Sequence, residues 1–493
     1  MTHRHALLAA AVALGVAAGA LAQQIPARPE QLTYPGLTYT APDAKALQAK
    51  LANGVTVYLA EDRLLPLVNV QVYFRGGRYM EPSGKEGVAS LTSTVWRTGG
   101  AGALDPKALD EELDFLAAQL ATNVGDVTGS VTLNLLAKDL DRGLALLMDV
   151  IRAPRFDETR LAKAKEDMLS EMKRRNDDAE DIEAREWNRL VYGESYWINR
   201  LATKASVDGI TRADLAALHK RLALPANLVV AVAGDFKRAE MLAKLNATLG
   251  AWKEEGAPAP AVPQPSGSAA PGVYLVNKTD VNQGRVSIGH LGARRPLADE
   301  AAMQVANDIY GGGGFTAWMM LRIRSDEGLA YGAYSDFEIG DLYPGEFRAY
   351  FQSKSSTCAR AAQLTLDLMK KIRGESVTAK ELDTSKSSFI ETFPRTFETK
   401  GRTVSRFALD DLVGRPHEYW TTYRDRMRAV TTDGVRAAAT AHYHPDKLIV
   451  LVVGNIDEVL KGHPDHPNSK LDMFGAFTRL PLRDPMTLKP LEQ

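Results

Sequence analysis

The chain has 493 residues, with 60 lysines and arginines against 61 aspartates and glutamates, and a formal net charge of −1. That length allows two or more domains, and the near-neutral balance argues against a nucleic-acid binder, a polybasic membrane patch or an acidic tail. A single cysteine, Cys358, excludes an internal disulfide framework and any thiolate-rich metal site.

The chain opens with a short basic stretch, Met1 to His5, and an alanine- and leucine-rich core, Ala6 to Ala18. Ala20-Leu21-Ala22 then fits a signal-peptidase site. This predicts a signal peptide over 1–22 and a periplasmic protein, since the apolar core is short for a membrane span. Residues 23–44 read as an N-terminal extension. Over 45–251 strands and helices alternate irregularly. Leu51 to Glu61 and Leu67 to Phe74 read as strands, Lys107 to Ala121 as an amphipathic helix and Gly129 to Leu136 as a strand. Leu140 to Ile151 and Asp157 to Arg175 read as helices. The mixture predicts an α+β fold, a β-sheet with helices packed on one face.

Trp252 to Gly272 carries five prolines among alanine and glycine and reads as a semi-extended linker over 252–272. A second half follows over 273–462, then a tail over 463–493. The halves echo each other. Ile210-Thr-Arg-Ala-Asp-Leu215 returns as Val430-Thr-Thr-Asp-Gly-Val435, and the Pro225 to Gly234 segment returns as Pro445 to Gly454. Both echoes have the same offset of 220 residues, which marks an internal duplication rather than a short-period solenoid. Asn69 to Phe74 corresponds loosely to Gly284 to Gly289.

The chemistry concentrates in the second half. A glycine run, Gly311 to Gly314, precedes an apolar segment, Phe315 to Ile323, and then Arg324-Ser-Asp-Glu-Gly-Leu-Ala-Tyr331. The glycines follow a helix pattern and lack a following Lys-Ser/Thr, so they are not a phosphate loop. A guanidinium and a phenol, split by Gly328, offer charged planar donors and a hydroxyl donor suited to a peptide carbonyl.

Arg-x-x-x-Gly-Leu-Ala-Tyr resembles the arginine/tyrosine signature in the second half of M16 family zinc peptidases, the pitrilysin and mitochondrial processing peptidase group. In that family the first half carries His-x-x-Glu-His on a helix soon after a strand ending in Gly-x-Arg. Here the run from Arg75 to Ala89 resembles the approach to that helix, but Ser90 and Thr94 stand where the histidines would be and Ser93 where the glutamate would be. Two histidines four apart share a zinc ion and the glutamate serves as base, whereas serine and threonine hydroxyls are poor zinc ligands and poor bases. Glu171 best matches the third ligand of the family; its plain reading is an exposed carboxylate on a charged helix. The resemblance spans about residues 45–460 and implies two M16-like halves, the first with a degenerate zinc site. It implies no cofactor in this chain, zinc in a partner subunit that carries His-x-x-Glu-His, and Arg324 and Tyr331 holding the substrate peptide and stabilising charge in the transition state. The expected protein is the non-catalytic subunit of a heteromeric zinc metallopeptidase; the alternative is a non-enzymatic peptide-binding or assembly subunit. Remaining candidates carry little: His442 and His444 sit at a helix end, and His463 and His466 in a proline-rich turn. His219, His290 and His417 stand alone, and Cys358 reads as a small residue at a helix start.

Overall fold

The computed structural model describes residues 28, 31–32 and 38–491; the expected signal peptide and its expected cleavage site near Ala22 lie outside the described residues. In the first half β1 (Gln48–Lys50), β2 (Thr56–Glu61), β3 (Leu67–Arg75), β4 (Gln119–Val124), β5 (Thr128–Leu136) and β6 (Leu228–Gly234) form one sheet in the order β1-β2-β6-β3-β5-β4. Val68, Val70, Val72 and Phe74 on β3 alternate with more exposed residues and face the core. Three helices of this half matter below: α1 (Val88–Thr98), α2 (Glu158–Met172) and α3 (Ala179–Tyr192).

Two expectations need correction. The strand expected from Leu51 begins at Thr56, because Gly54 at φ +88° turns the chain between β1 and β2. The helix expected over Lys107 to Ala121 is Pro106–Phe115. Ala117 adopts φ +47° and ends it, and Leu120 pairs with Leu133 in the sheet. Alanine propensity favours helix at 117–118, and strand pairing overrides it.

The second half repeats the plan. Its strands are β7 (Gly272–Asn277), β8 (Gln283–Leu291), β9 (Ala293–Arg294), β10 (Ala330–Phe337), β11 (Ile339–Gly340), β12 (Glu346–Lys354), β13 (Ile449–Gly454) and β14 (Phe477–Leu480). Six of them form a sheet in the order β10-β12-β8-β13-β7-β14, while β9 and β11 pair separately. Without β1 and β14 the two sheets have the same topology, one parallel pair followed by three antiparallel pairs. The ladders also fix the repeat's register. Val230 pairs with Val72 and Val450 with Ile288, so Val72 matches Ile288. That is one residue further along than the loose pairing of Asn69 with Gly284 implies, and a one-residue slip exchanges the buried and outer faces.

β6 and β13 are buried on both sides. Helices of the same half cover one face of each sheet, and the opposite face takes a helix from the other half. α4 (Lys400–Val413) of the second half lies across β2, β6 and β3, while α3 of the first half lies against β8 and β13. Polar contacts fix both dockings. Arg75 donates to the carbonyls of Leu412 and Asp411 at 2.9 and 2.8 Å, and Tyr58 donates to Asp411 Oδ2 at 2.8 Å. On the other side Glu183, only 1% exposed, pairs with Arg285 at 2.6 Å and Arg348 at 3.1 Å, and Trp187 Nε1 donates to Glu346 Oε2 at 2.8 Å. The proline-rich linker runs over the first half, accepting from the hydroxyls of Tyr79 and Tyr196 at the carbonyls of Pro260 and Pro263. From the tail, β14 adds to the second sheet parallel to β7.

Candidate functional site

The glycine run lies where a helix meets the edge strand β10. The helix Glu300–Asn307 widens over Asp308–Gly312 into longer-period turns before breaking. A side chain on Gly311 would lie 2.5 Å from Ser335 Oγ of β10 and 2.8 Å from Met319 Sδ, so close approach, rather than a ligand, accounts for this glycine. Gly314 at φ +62° then turns the chain. Another widened turn, Met320–Asp326, carries Arg324, with Ile323 buried beneath it. Gly328 at φ +63° leads the chain into β10.

The ladder between β10 and β12 shifts between Ala330 and Ala333, which places a bulge at Tyr331 and Gly332. A bulge re-aims a side chain, and Tyr331 stands 88% exposed. The Arg324 guanidinium lies 5.4 Å from the Tyr331 ring centre and 4.8 Å from that of Phe315, itself 70% exposed. Cation–π contacts on two rings orient the guanidinium without using its N–H donors. Among the described residues neither Arg324 nor Tyr331 spends a side-chain donor on a protein acceptor. The structure thus brings Arg324 and Tyr331 together, with a fork of N–H groups and a hydroxyl open to an outside acceptor.

Sequence reasoning missed three supports of this pair. Phe315 was only part of an apolar run. Glu327 lies inside the motif, and its carboxylate takes both Nη2 and Nε of Arg360, at 2.6 and 3.1 Å, and Arg322 at 3.0 Å. The Arg360 hydrogen bond holds the Glu327 carboxyl below the usual range. No spacing rule points to Arg360, which reaches the loop from the helix Cys358–Gly374.

In the first half α1 carries Ser90, Ser93 and Thr94, the residues expected where the resembled family has its zinc motif. Glu81 Oε1 caps its start, accepting from Ala89 N at 2.8 Å and Gly87 N at 3.1 Å, and burial pushes its carboxyl up to about 7. Ser93 ties α1 to β4: its Oγ accepts from Val124 N at 3.0 Å, and its carbonyl accepts from Thr122 Oγ1 at 2.9 Å. Thr94 Oγ1 donates to the Ser90 carbonyl one turn back, at 3.1 Å. Ser90 is exposed and lines a cavity of about 600 Å³ that Glu171 of α2 also lines. Ser90 and Glu171, the residues expected at the first-histidine and third-ligand positions, therefore share a cavity, but the donors there do not suit zinc. Two of the three hydroxyls are engaged with backbone, and among the described residues no three His, Cys, Asp or Glu side chains are grouped to hold a metal ion.

The other candidates are structural. Cys358 is buried, its thiol pushed up to about 12 by burial, far from a nucleophile's range. His219 contacts the Ile151 carbonyl and packs edge-on to Trp96. His442 meets Asp299 at 2.9 Å, His290 accepts from His444 N at 3.1 Å, and His417 joins Tyr58 and Asp411. His463 and His466 have ring centres 5.1 Å apart, with Glu327 at 3.8 Å from His466. Among the described residues no helix is long and apolar enough to cross a membrane.

Residues 56–195 match the family model described as insulinase, peptidase family M16, and residues 209–389 match the peptidase M16 inactive domain. The chain belongs to the peptidase M16 family. Among its relatives, the non-peptidase homolog YmxG of Helicobacter pylori is 24% identical over 413 residues, covering 81% of this chain and 92% of that protein. An uncharacterized zinc protease of Mycobacterium tuberculosis is 26% identical over 314 residues, covering 62% of this chain and 70% of its own length. The crystal structure of a peptidase M16 inactive domain from Pseudomonas fluorescens shares the fold with a TM-score of 0.74 and 24% identity, over 83% of this chain and 97% of that one. The M16 plan of two sheet-and-helix halves is thus present.

Proposed function

We propose that this chain is an exported M16 subunit that lends Arg324 and Tyr331 to a peptidase whose metal and base reside in a second M16 chain carrying His-x-x-Glu-His. The observation that carries this reading is the oriented, unspent donor pair of Arg324 and Tyr331, set beside a first half whose hydroxyls do not suit zinc. Charged and hydroxyl donors fixed in advance stabilise a carbonyl oxygen as it gains negative charge. Arg324 would hold the peptide backbone near the scissile bond, and Tyr331 would add a donor to its carbonyl. The basic start, apolar core and Ala20-Leu21-Ala22 support export, with a mature chain beginning near Gln23 and residing in the periplasm.

Co-expression with an exported His-x-x-Glu-His chain, affinity purification through one partner and a peptide-cleavage assay test the proposal. Expected are a stable heteromer, cleavage by the complex and none by this chain alone. A second reading, an assembly or peptide-binding subunit without a catalytic share, draws support from the name of the Helicobacter pylori relative. It predicts a heteromer whose cleavage rate ignores Arg324 and Tyr331.

A further inference from the structure

The cavity between α1 and α2 has a charge pattern that the Arg324 and Tyr331 site does not explain. Arg78, Arg174, Arg175, Arg185 and Arg200 all line it, against the carboxyls of Glu81, Glu171 and Asp181. Only Arg78 has a carboxylate partner within 4.0 Å among the described residues, Asp126 at 2.7 Å. Neutral acceptors position three of the others. Arg175 donates to the carbonyls of Ala202 and Pro485 at 2.8 and 3.0 Å, Arg185 to Asn176 Oδ1 at 2.7 Å, and Arg200 to the Glu81 carbonyl at 2.9 Å. These bonds fix the guanidinium groups in place, and Glu171 and Asp181 offset only part of their charge, without an ion pair within 4.0 Å. Nε of Arg200 is buried with no partner. Arg174 makes no side-chain hydrogen bond or ion pair among the described residues. Burial and the neighbouring Arg185 draw Arg175 below its usual range, and Glu171 opposes them only in part.

Positive charge held this way favours an anion from outside, and a guanidinium fork matches a carboxylate's two oxygens. The cavity, at about 600 Å³, holds more than one carboxylate, and Met168, Met172 and Leu201 give it apolar wall. Hydroxyl and apolar groups with an arginine cluster suit a short chain that ends in a charge.

We propose that the cavity left without metal ligands is a second binding site, which takes a peptide carboxylate flanked by apolar residues. It sits in the first half, apart from the Arg324 and Tyr331 pair, and does not depend on the reading of that pair. The carboxylate is either the peptide's C-terminal carboxyl or an acidic side chain, and the experiment separates the two.

Fluorescence anisotropy on the purified full chain, without partner, would measure three labelled peptides of one apolar sequence. One carries an internal glutamate and a free C-terminus, the second is C-terminally amidated, and the third has glutamine for glutamate. The expected result is saturable binding of the first, weakened by added salt as charge pairing requires, and roughly tenfold weaker binding of either the second or the third. Loss on amidation assigns the terminal carboxyl; loss on the glutamine change assigns the side chain. Ser90→Glu places a carboxylate on the exposed cavity face of α1 and should weaken binding at least about tenfold by competing for the arginines. Arg174→Glu, at an exposed residue with no side-chain bond, should do the same without unfolding the chain. Equal affinity for all three peptides, no binding of any, or parent-like binding by both folded variants would overturn the proposal. Peptide cleavage by the complex is not read in this experiment, so a failed partner hypothesis leaves its result intact.

Discussion

Tyr331 contributes little buried surface, and its ring serves mainly as one of two supports for the Arg324 guanidinium. Tyr331→Phe keeps that support and deletes one donor. In the reconstituted complex it should lower kcat about a hundredfold, roughly 3 kcal/mol, as loss of one oxyanion donor does elsewhere. Arg324→Ala should raise KM as well, because it removes charged donors. Both variants should melt with the parent, since neither side chain fills the core. Parent-like turnover in both would leave this chain a scaffold. Glu81 gives a second test. Its carboxyl sits near 7 in the folded chain against 4.5 in the unfolded one, because burial disfavours the charge. Stability from this group is full below about pH 4.5 and is lost as pH rises through 7, a difference of about 3 kcal/mol. Glu81→Gln keeps an acceptor for Gly87 N and Ala89 N and removes the titration. The variant should gain stability over the parent between pH 4.5 and 8, measured by denaturation at several pH values; a constant difference would contradict the assignment.

At the element scale the docking of α3 on the second sheet depends on Glu183, which pairs with both Arg285 and Arg348, while the more exposed Glu180 adds a second contact to Arg285 at 3.3 Å. Glu183→Ala would leave Arg348 without its ion-pair partner and Arg285 with only the exposed Glu180, and should cost about 3 kcal/mol, toward the low end for a broken buried pair because both arginines keep some solvent. Chemical denaturation measures it. Much at this scale was legible in the sequence. The echo of Pro225 to Gly234 in Pro445 to Gly454 marked β6 and β13, and the run Leu67 to Phe74 marked β3. What hid from the sequence was long-range. The turn at Ala117 depends on an unusual backbone conformation for alanine, and the continuous burial of β6 follows from α4, some 170 residues further on. At the candidate site, the motif pointed to Arg324 and Tyr331, which the fold places side by side. Arg360, more than thirty residues beyond Glu327, had no local signal, and the arginine-lined cavity is assembled from scattered residues such as Arg78, Arg174 and Arg200.

For the molecule as a whole, EDTA-washed protein reloaded with zinc should retain no stoichiometric metal, as measured by elemental analysis. One tightly held zinc per chain would overturn the reading of a degenerate metal site. The two halves also carry unequal chemistry on equal architecture. The first presents cationic charge near α1, the second an exposed guanidinium and phenol at the β10 edge. Substitutions at either place should leave the other's binding unchanged, because no residue lines both.

The exchange of α3 and α4 between the sheets has a consequence for how such a chain is inherited. Each half lends the other a helix, so the covalent join over 252–272 is a tether and not the bond that holds them. A gene broken at that join would still encode two fragments with matched faces to find one another, whereas a fragment expressed alone would expose the sheet face its absent sibling should cover. Duplication could therefore let one copy lose its metal ligands while both copies stayed bound to a shared scaffold, and neither half is free to drift into an independent protein.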